Sequence, residues 1–135
     1  MVDAERLARL LRGITDDLSR LRAHAAVPDD VLRDEILLDR VKYRFVTAIE
    51  GCIDAAQHVC AAEGFKAPAT NADAMRELAR HGLLEHDLAE ALARAVGFRN
   101  VLVHRYADVD DRVVVEHLRH LDRLDGFVTA LQDLL

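Results

Sequence analysis

The sequence contains little of what β-sheet proteins and disulfide-rich domains need. Tryptophan is absent, aromatic residues make up 4% of the chain, and there are two cysteines, two prolines and six glycines. β-Sandwiches and barrels are rich in β-branched and aromatic residues and in glycine-containing turns. This chain is instead rich in alanine and leucine, so we predict an all-α protein. With 135 residues it has the length of one domain, which we place at residues 1–135.

The sequence also lacks a long apolar run and an excess of basic residues. No segment approaches the roughly 18–20 apolar residues of a membrane span, and the N-terminal residues show no basic stretch followed by an apolar core. The formal net charge of −6 argues against a protein that coats nucleic acid non-specifically. Cys52 and Cys60 lie too far apart along one predicted helix for a disulfide, so we expect buried free thiols. Together these features predict a soluble, cytoplasmic protein.

Apolar residues recur at helical spacing along the chain. The spacing predicts helices at about residues 3–23, 28–64 and 70–80, another that begins near Glu85, and a last one that follows the sequence ADVDD. Pro28 with the acidic pair after it is a typical helix start. Because short connections favour antiparallel neighbours, we predict an antiparallel bundle of four to five helices.

Four polar side chains interrupt the apolar pattern near the end of the helix that begins at Glu85. They are Arg99, Asn100, His104 and Tyr106, in the sequence FRNVLVHRY. Asn100 and His104 share a helix face, and the long side chain of Arg99 can reach the same volume. A guanidinium binds phosphate through two hydrogen bonds, and an imidazole exchanges protons near neutral pH. The set therefore suits metal-independent cleavage of a phosphodiester, with His104 as acid or base and Arg99 neutralising charge on phosphorus.

The same residues also have a structural interpretation. An arginine and a histidine near a helix C-terminus often cap carbonyl groups and favour the negative end of the helix dipole. Under that interpretation the protein is a helical oligomerisation module, and His104 contributes to stability. The residues alone leave both interpretations open.

The motif resembles the signature of the HEPN superfamily, specifically that of its HepT-like toxins. That signature is an arginine, a polar residue, three further positions, a histidine, one position and a tyrosine, which FRNVLVHRY fills in register. Upstream, AIEGCIDAAQHV resembles the family's pattern of an aspartate and a histidine four residues apart, here Asp54 and His58. One departure follows Pro68, where relatives tend to have a tyrosine and this chain has Asn71. We expect that departure to affect loop packing or a partner contact and to leave the site unchanged.

The resemblance implies a HEPN-like bundle that forms a two-fold homodimer. It implies an endoribonuclease toxin that needs no metal or other cofactor, cleaves transfer or messenger RNA, and leaves a 2′,3′-cyclic phosphate. Arg99, Asn100 and His104 are then catalytic, and the two-fold axis supplies a second His104, so one copy can act as base and the other as acid. A minimal nucleotidyltransferase antitoxin is implied as partner; it transfers AMP to Tyr106 and so blocks the cleft by bulk and charge.

Other arrangements remain as alternatives. The same fold can serve as a non-catalytic, nucleotide-binding partner of a nucleotidyltransferase. Asp54 and His58 can hydrogen-bond to each other, either to support the site or only to satisfy a core histidine. His117 and His120 have the spacing of a metal-binding pair, but no third ligand is evident, so we predict a solvated helix face there and no metal site.

Overall fold

Helices account for most of the computed structural model, which describes residues 1–135 apart from the side chain of Pro28. The described residues contain no β-strand, and the all-α prediction is confirmed. A short 3-10 helix, Tyr106–Asp108, follows the fifth α-helix. The α-helices are α1 (Ala4–Ala25), α2 (Pro28–Arg33), α3 (Glu35–Ala62), α4 (Asn71–Arg80), α5 (His86–His104), α6 (Asp111–Leu118) and α7 (Asp122–Gln132).

Helices α1 and α3 form the antiparallel pair on which the fold is built. The predicted leucine stripe of α1 is buried, and it packs against α3, where a Cβ added to Gly51 would lie 2.8 Å from Cγ1 of Ile14. A polar contact lies farther along the same interface. The buried Asp17 carboxylate accepts hydrogen bonds from Arg44 at 3.1 Å and from Thr47 at 2.7 Å. The two helices are therefore joined by close packing and by a partly buried ion pair.

The predicted long helix from Pro28 to Gly64 consists of two segments. Asp34 has an extended backbone, and its side chain accepts hydrogen bonds from the backbone N–H groups of Ile36 and Leu37, so it caps α3. A capping aspartate with non-helical dihedral angles ends the preceding helix and begins the next. The proline therefore begins the short α2 rather than the long helix.

The predicted last helix is also divided, between Leu118 and Asp122. Residues Arg119 and His120 donate backbone hydrogen bonds to the carbonyls three residues before them, which is 3-10 geometry. Leu118, Leu121 and Leu124 are all buried and stand three residues apart. Because a 3-10 turn aligns residues at a spacing of three, the tighter turn keeps all three leucines in the core.

Two further sequence predictions concern the cysteines and the membrane. Cys52 and Cys60 are both buried and free, as predicted, and burial raises the pKa of the Cys52 thiol well above its usual range. In the part of the chain that the structure describes, no helix combines the length and the apolar character that a membrane crossing requires.

Candidate active site

The C-terminal half of α5 runs antiparallel to α3 and carries the polar motif along it. Phe98 packs edge-on against Phe45 with ring centroids 5.4 Å apart. Arg99 contacts Glu50, whereas Tyr106, just beyond the helix, contacts Asp39. At a rise of 1.5 Å per residue, those two positions of α3 lie about 16 Å apart along its axis. The motif is therefore spread along α3.

Arg99 is the most enclosed side chain of the motif. Its Nη2 donates to Oε1 of Glu50 at 2.9 Å, and its Nη1 donates to Oδ1 of Asn100 at 2.9 Å. Its buried Nε has no hydrogen-bond partner among the described residues. The guanidinium borders a cavity of about 440 Å³ lined by Glu50, Ile53, Asp54, Gln57, Asn71 and Arg99. Two partners thus fix the orientation of the guanidinium, and its buried Nε–H is left without one in the described part of the chain.

Asn100 and His104 are exposed on the same side of α5, as the spacing predicts. His104 is the last residue of the helix, at the negative end of its dipole, and within the described chain its imidazole makes no hydrogen bond. Four residues at 1.5 Å rise put it about 6 Å farther along the helix than Asn100. The structure thus joins Arg99 directly to Asn100 and presents an exposed His104 one turn away.

Tyr106 lies against the N-terminal part of α3. Its hydroxyl donates a hydrogen bond to the Asp39 carboxylate, and the Lys42 ammonium lies 4.6 Å from its ring centroid. The bond to Asp39, partial burial and the nearby carboxylate charge raise the pKa of Tyr106 to about 12. Lys42 is itself buried and pairs with Asp111 at 3.1 Å. The tyrosine therefore has a fixed place while its ring remains half exposed.

The residues matched upstream in the resemblance have different surroundings. Asp54 borders the cavity beside Arg99, but the hydrogen bond to His58 that the sequence allowed is not made. His58 instead accepts a hydrogen bond from the backbone N–H of Asp3 at 3.1 Å and so fixes the start of α1. Asn71 borders the cavity too and accepts a hydrogen bond from Gln57 at 3.3 Å. Asn71 therefore lies beside Arg99 in the same cavity, and the expectation that the departure leaves the site unchanged stays a prediction.

His117 was predicted on a solvated face, and this is wrong. Its ring stacks on Phe98 with centroids 3.8 Å apart, and burial lowers its pKa to about 4. His120 is exposed and bonds to Glu116 at 3.1 Å. No cluster of three or more histidine, cysteine or acidic side chains in the described residues is arranged to hold a metal ion.

A second and larger cavity lies next to Asp39, the hydrogen-bond partner of Tyr106. It has a volume of about 670 Å³ and lies between the C-terminal part of α1 and the N-terminal part of α3. We call it the α1–α3 groove; its lining includes Arg20, His24, Asp39, Arg40, Tyr43 and Arg44. Asp39 thus belongs both to this groove and to the hydrogen bond with Tyr106.

Comparison with known proteins identifies the family. A family model described as ribonuclease HepT-like matches residues 8–131, which is nearly the whole chain. The chain belongs to the ribonuclease HepT-like family. The resemblance predicted from the motif is confirmed.

Two curated proteins are similar to this HepT-like chain in sequence. The mRNA nuclease HepT of Shewanella oneidensis is 29% identical over 101 residues, which cover 74% of this chain and 76% of that protein. A putative RNase of Archaeoglobus fulgidus is 28% identical over 134 residues, which cover 97% and 94% of the two chains.

Solved structures share the fold over nearly the full length. The tri-AMPylated HEPN toxin of Shewanella oneidensis, in complex with its MNT antitoxin, superposes with a TM-score of 0.89 at 25% identity and covers 98% of this chain and 99% of that one. YutE of Bacillus subtilis, described as a cytosolic protein of unknown function, has a TM-score of 0.86 at 16% identity, over 99% and 91% of the two chains. The predicted HEPN-like fold is confirmed.

Three features next to the motif were missed by sequence reasoning. They are Glu50, which holds Arg99; Asp39, which holds Tyr106; and the α1–α3 groove. Glu50 and Asp39 stand on the exposed side of an ordinary amphipathic helix, where acidic residues are expected without a function. Their contacts are with Arg99 and Tyr106, 49 and 67 residues away in the sequence, and no local sequence pattern predicts contacts over such distances.

Proposed function

We propose that this HepT-like protein is the toxin of a toxin–antitoxin system, a cytoplasmic endoribonuclease that cleaves transfer or messenger RNA without a metal ion. The observation that carries the proposal is the arrangement of the Arg99 and His104 side chains. Arg99 is oriented by Glu50 and Asn100, whereas the His104 imidazole is exposed and unbonded within the described chain. A side chain that only capped the helix would be bonded to it. The names of the Shewanella oneidensis and Archaeoglobus fulgidus relatives, an mRNA nuclease and a putative RNase, agree with this activity.

The proposed cleavage uses one His104 as base and one as acid. The base removes the proton of an RNA 2′-hydroxyl, whose oxygen attacks the adjacent phosphorus; the bond to the 5′-oxygen breaks, and the acid protonates that leaving oxygen. The products are a 2′,3′-cyclic phosphate and a free 5′-hydroxyl. Arg99 neutralises the charge that develops on the phosphoryl oxygens, and Asn100 orients the guanidinium.

A homodimer supplies the second histidine. Each chain presents a single His104, and no other histidine belongs to the motif. A two-fold axis beside the end of α5 brings two copies of the motif to one cleft and makes the base and the acid chemically equivalent before RNA binds. We therefore include a two-fold dimer in the proposal.

We further propose that a minimal nucleotidyltransferase antitoxin inactivates the protein at Tyr106. The tyrosine oxygen attacks the α-phosphorus of ATP, the bond to pyrophosphate breaks, and the phenolic proton passes to the Asp39 carboxylate, to which it is already hydrogen-bonded. The added phosphate places bulk and negative charge two residues from His104, so it opposes RNA binding. The structural relative in complex with an MNT antitoxin is described as tri-AMPylated.

The test is RNA cleavage by purified protein whose mass shows no AMP. Total RNA and transfer RNA are incubated in excess EDTA, and the fragment ends are mapped. We expect cyclic phosphate ends, and a loss of about a thousandfold in rate for His104→Ala, because acid–base groups contribute about 10²–10⁴. His86→Ala is the matched control, since His86 is exposed at the other end of α5. Absence of cleavage would refute the enzyme and favour the non-catalytic nucleotide-binding partner.

A further inference from the structure

The α1–α3 groove is basic and has two arginines free of partners. Arg44 is fixed at its wall by the buried Asp17 at 3.1 Å. Arg20 and Arg40 also line the groove, and neither forms an ion pair with any described residue. Arginine side chains that line one groove without acidic partners are suited to phosphate, which a guanidinium binds through two hydrogen bonds.

The groove also presents an aromatic surface to solvent. Tyr43 is 62% exposed, and the Arg44 guanidinium lies 5.7 Å from its ring centroid, which places a cation beside the ring. Ile36, on the same face of α3, is 69% exposed. Flat aromatic side chains beside cations are the usual platform for a base attached to a phosphate. The volume of about 670 Å³ lies within the range of about 300–1,000 Å³ typical of small-molecule sites.

Asp39 connects this groove to the motif. It lines the groove, and it also accepts the hydrogen bond of the Tyr106 hydroxyl. The tyrosine oxygen is therefore hydrogen-bonded to a residue of the groove wall, although Tyr106 itself does not line the groove. A phosphate joined to the Tyr106 oxygen is therefore close to the groove. An RNA chain bound at His104, two residues before Tyr106, is close to it as well.

We propose that the α1–α3 groove is a nucleotide subsite that takes one nucleoside monophosphate unit, with its phosphate at Arg20 and Arg40 and its base against Tyr43. The sources of that unit rest on the proposed function. In the unmodified protein it is a nucleotide of the RNA substrate, and after modification it is the adenylyl group on Tyr106. Because the RNA nucleotide and the adenylyl group occupy the same subsite, the adenylyl group on Tyr106 competes directly with RNA for it.

The first arm of the test measures RNA binding by full-length protein that carries His104→Ala, so that no cleavage occurs. The probe is a fluorescent single-stranded RNA oligonucleotide. Arg20→Ala and Arg40→Ala are each expected to weaken binding about tenfold and to lower the slope of log affinity against log salt by about 0.7 per lost contact. Tyr43→Ala is expected to weaken it about tenfold and Tyr43→Phe little, because the ring supplies the stacking.

Arg12→Ala is the matched control for the arginines. Arg12 is an exposed arginine of the same helix that borders a different cavity, so its loss is expected to change affinity less than twofold. Equal effects of Arg12→Ala and Arg40→Ala would overturn the proposal. A change from dimer to monomer in the groove variants, measured by light scattering, would also overturn it, because the groove would then be an interface between copies.

The second arm separates the subsite from the ribonuclease proposal. AMP is titrated into unmodified protein and into protein adenylylated at Tyr106, followed by calorimetry. We expect AMP binding that weakens about tenfold in Arg40→Ala and disappears after adenylylation. AMP binding without RNA binding would keep the subsite and refute the ribonuclease. RNA binding and cleavage without AMP binding or groove dependence would keep the ribonuclease and refute the subsite.

Discussion

The Tyr106 hydroxyl donates its hydrogen bond to the carboxylate of Asp39, 67 residues earlier in the chain. This contact joins the 3-10 turn after α5 to the beginning of α3 and bonds the tyrosine oxygen to Asp39, a residue that lines the α1–α3 groove. The carboxylate charge also stabilises the neutral phenol. Tyr106 is thus protonated at neutral pH. In the proposed AMP transfer, its hydroxyl has to lose the proton as the bond to phosphorus forms.

Replacing Asp39 by asparagine is expected to lower the pKa of Tyr106 from about 12 toward its ordinary value of 10. Asparagine keeps a hydrogen-bonding oxygen but removes the charge that opposes the phenolate. Absorbance titration of the phenolate measures this, in a Tyr43→Phe background that leaves one tyrosine. Asp108→Asn, in the same 3-10 turn but paired with Arg105, is the control. An unchanged pKa in Asp39→Asn would contradict the assignment.

The helical order of the chain was predictable because each helix carries its own apolar stripe. The motif on α5 was predictable because its residue types and spacing match a family signature. The pairing of Arg99 with Glu50 was not, since it depends on how α5 lies against α3. The break between α6 and α7 at Leu121 could not be predicted from the sequence either. Three leucines at a spacing of three also fit an α-helix, and they favour a 3-10 turn only when all three must face the same core.

Glu50→Gln is expected to lower kcat for RNA cleavage about tenfold and to change KM little. The carboxylate orients Arg99 through a charge-assisted hydrogen bond, worth roughly 1.5–3 kcal/mol, so we expect Glu50 to act as a positioning residue through Arg99. Glu50→Asp is expected to restore part of the rate. Steady-state kinetics and thermal melts on the same samples separate orientation from stability.

The control for Glu50 is Glu90→Gln. Glu90 forms a comparable ion pair with Arg76 at 2.8 Å, but away from the motif. Its loss is expected to leave kcat unchanged, because exposed ion pairs contribute about 0–1 kcal/mol to stability and this one has no contact with the site. Equal losses of kcat in the two variants would show that Glu50 has no special role.

His117 is expected to weaken the fold on acidification. Its pKa is about 4 in the folded protein and near 6.5 when unfolded, so the unfolded chain binds more protons between these values. The contribution of the buried neutral His117 to the free energy of unfolding is complete above about pH 6.5 and is lost as the pH falls toward 4. With allowance for partial exposure we expect a loss of about 1 kcal/mol. Melting temperatures near neutral pH and near pH 4 are compared between the natural protein and His117→Phe, which keeps the stack on Phe98 but not the titration.

The exposed His120 provides the comparison for that measurement. His120→Phe removes a histidine from the same segment without touching the stack, and it takes away only a lesser cause of the lowered pKa of His117, which is due first to burial. If His117→Phe and His120→Phe lose the same stability between neutral and acid pH as the natural protein, burial of His117 does not contribute to acid sensitivity.

Gly51→Ala is expected to destabilise the protein by about 1–3 kcal/mol, and Gly13→Ala to stabilise it by up to about 1 kcal/mol. Both glycines lie within helices, α3 and α1, where alanine is intrinsically preferred. The difference comes from space. A Cβ at Gly51 meets Cγ1 of the buried Ile14 at 2.8 Å, whereas one at Gly13 meets nothing within 4 Å. Because Cγ1 of a β-branched side chain lies next to the backbone, relief requires α1 and α3 to move apart. Urea unfolding of the two variants measures both signs, and a stabilising Gly51→Ala would show that the α1–α3 interface yields more easily than its packing indicates.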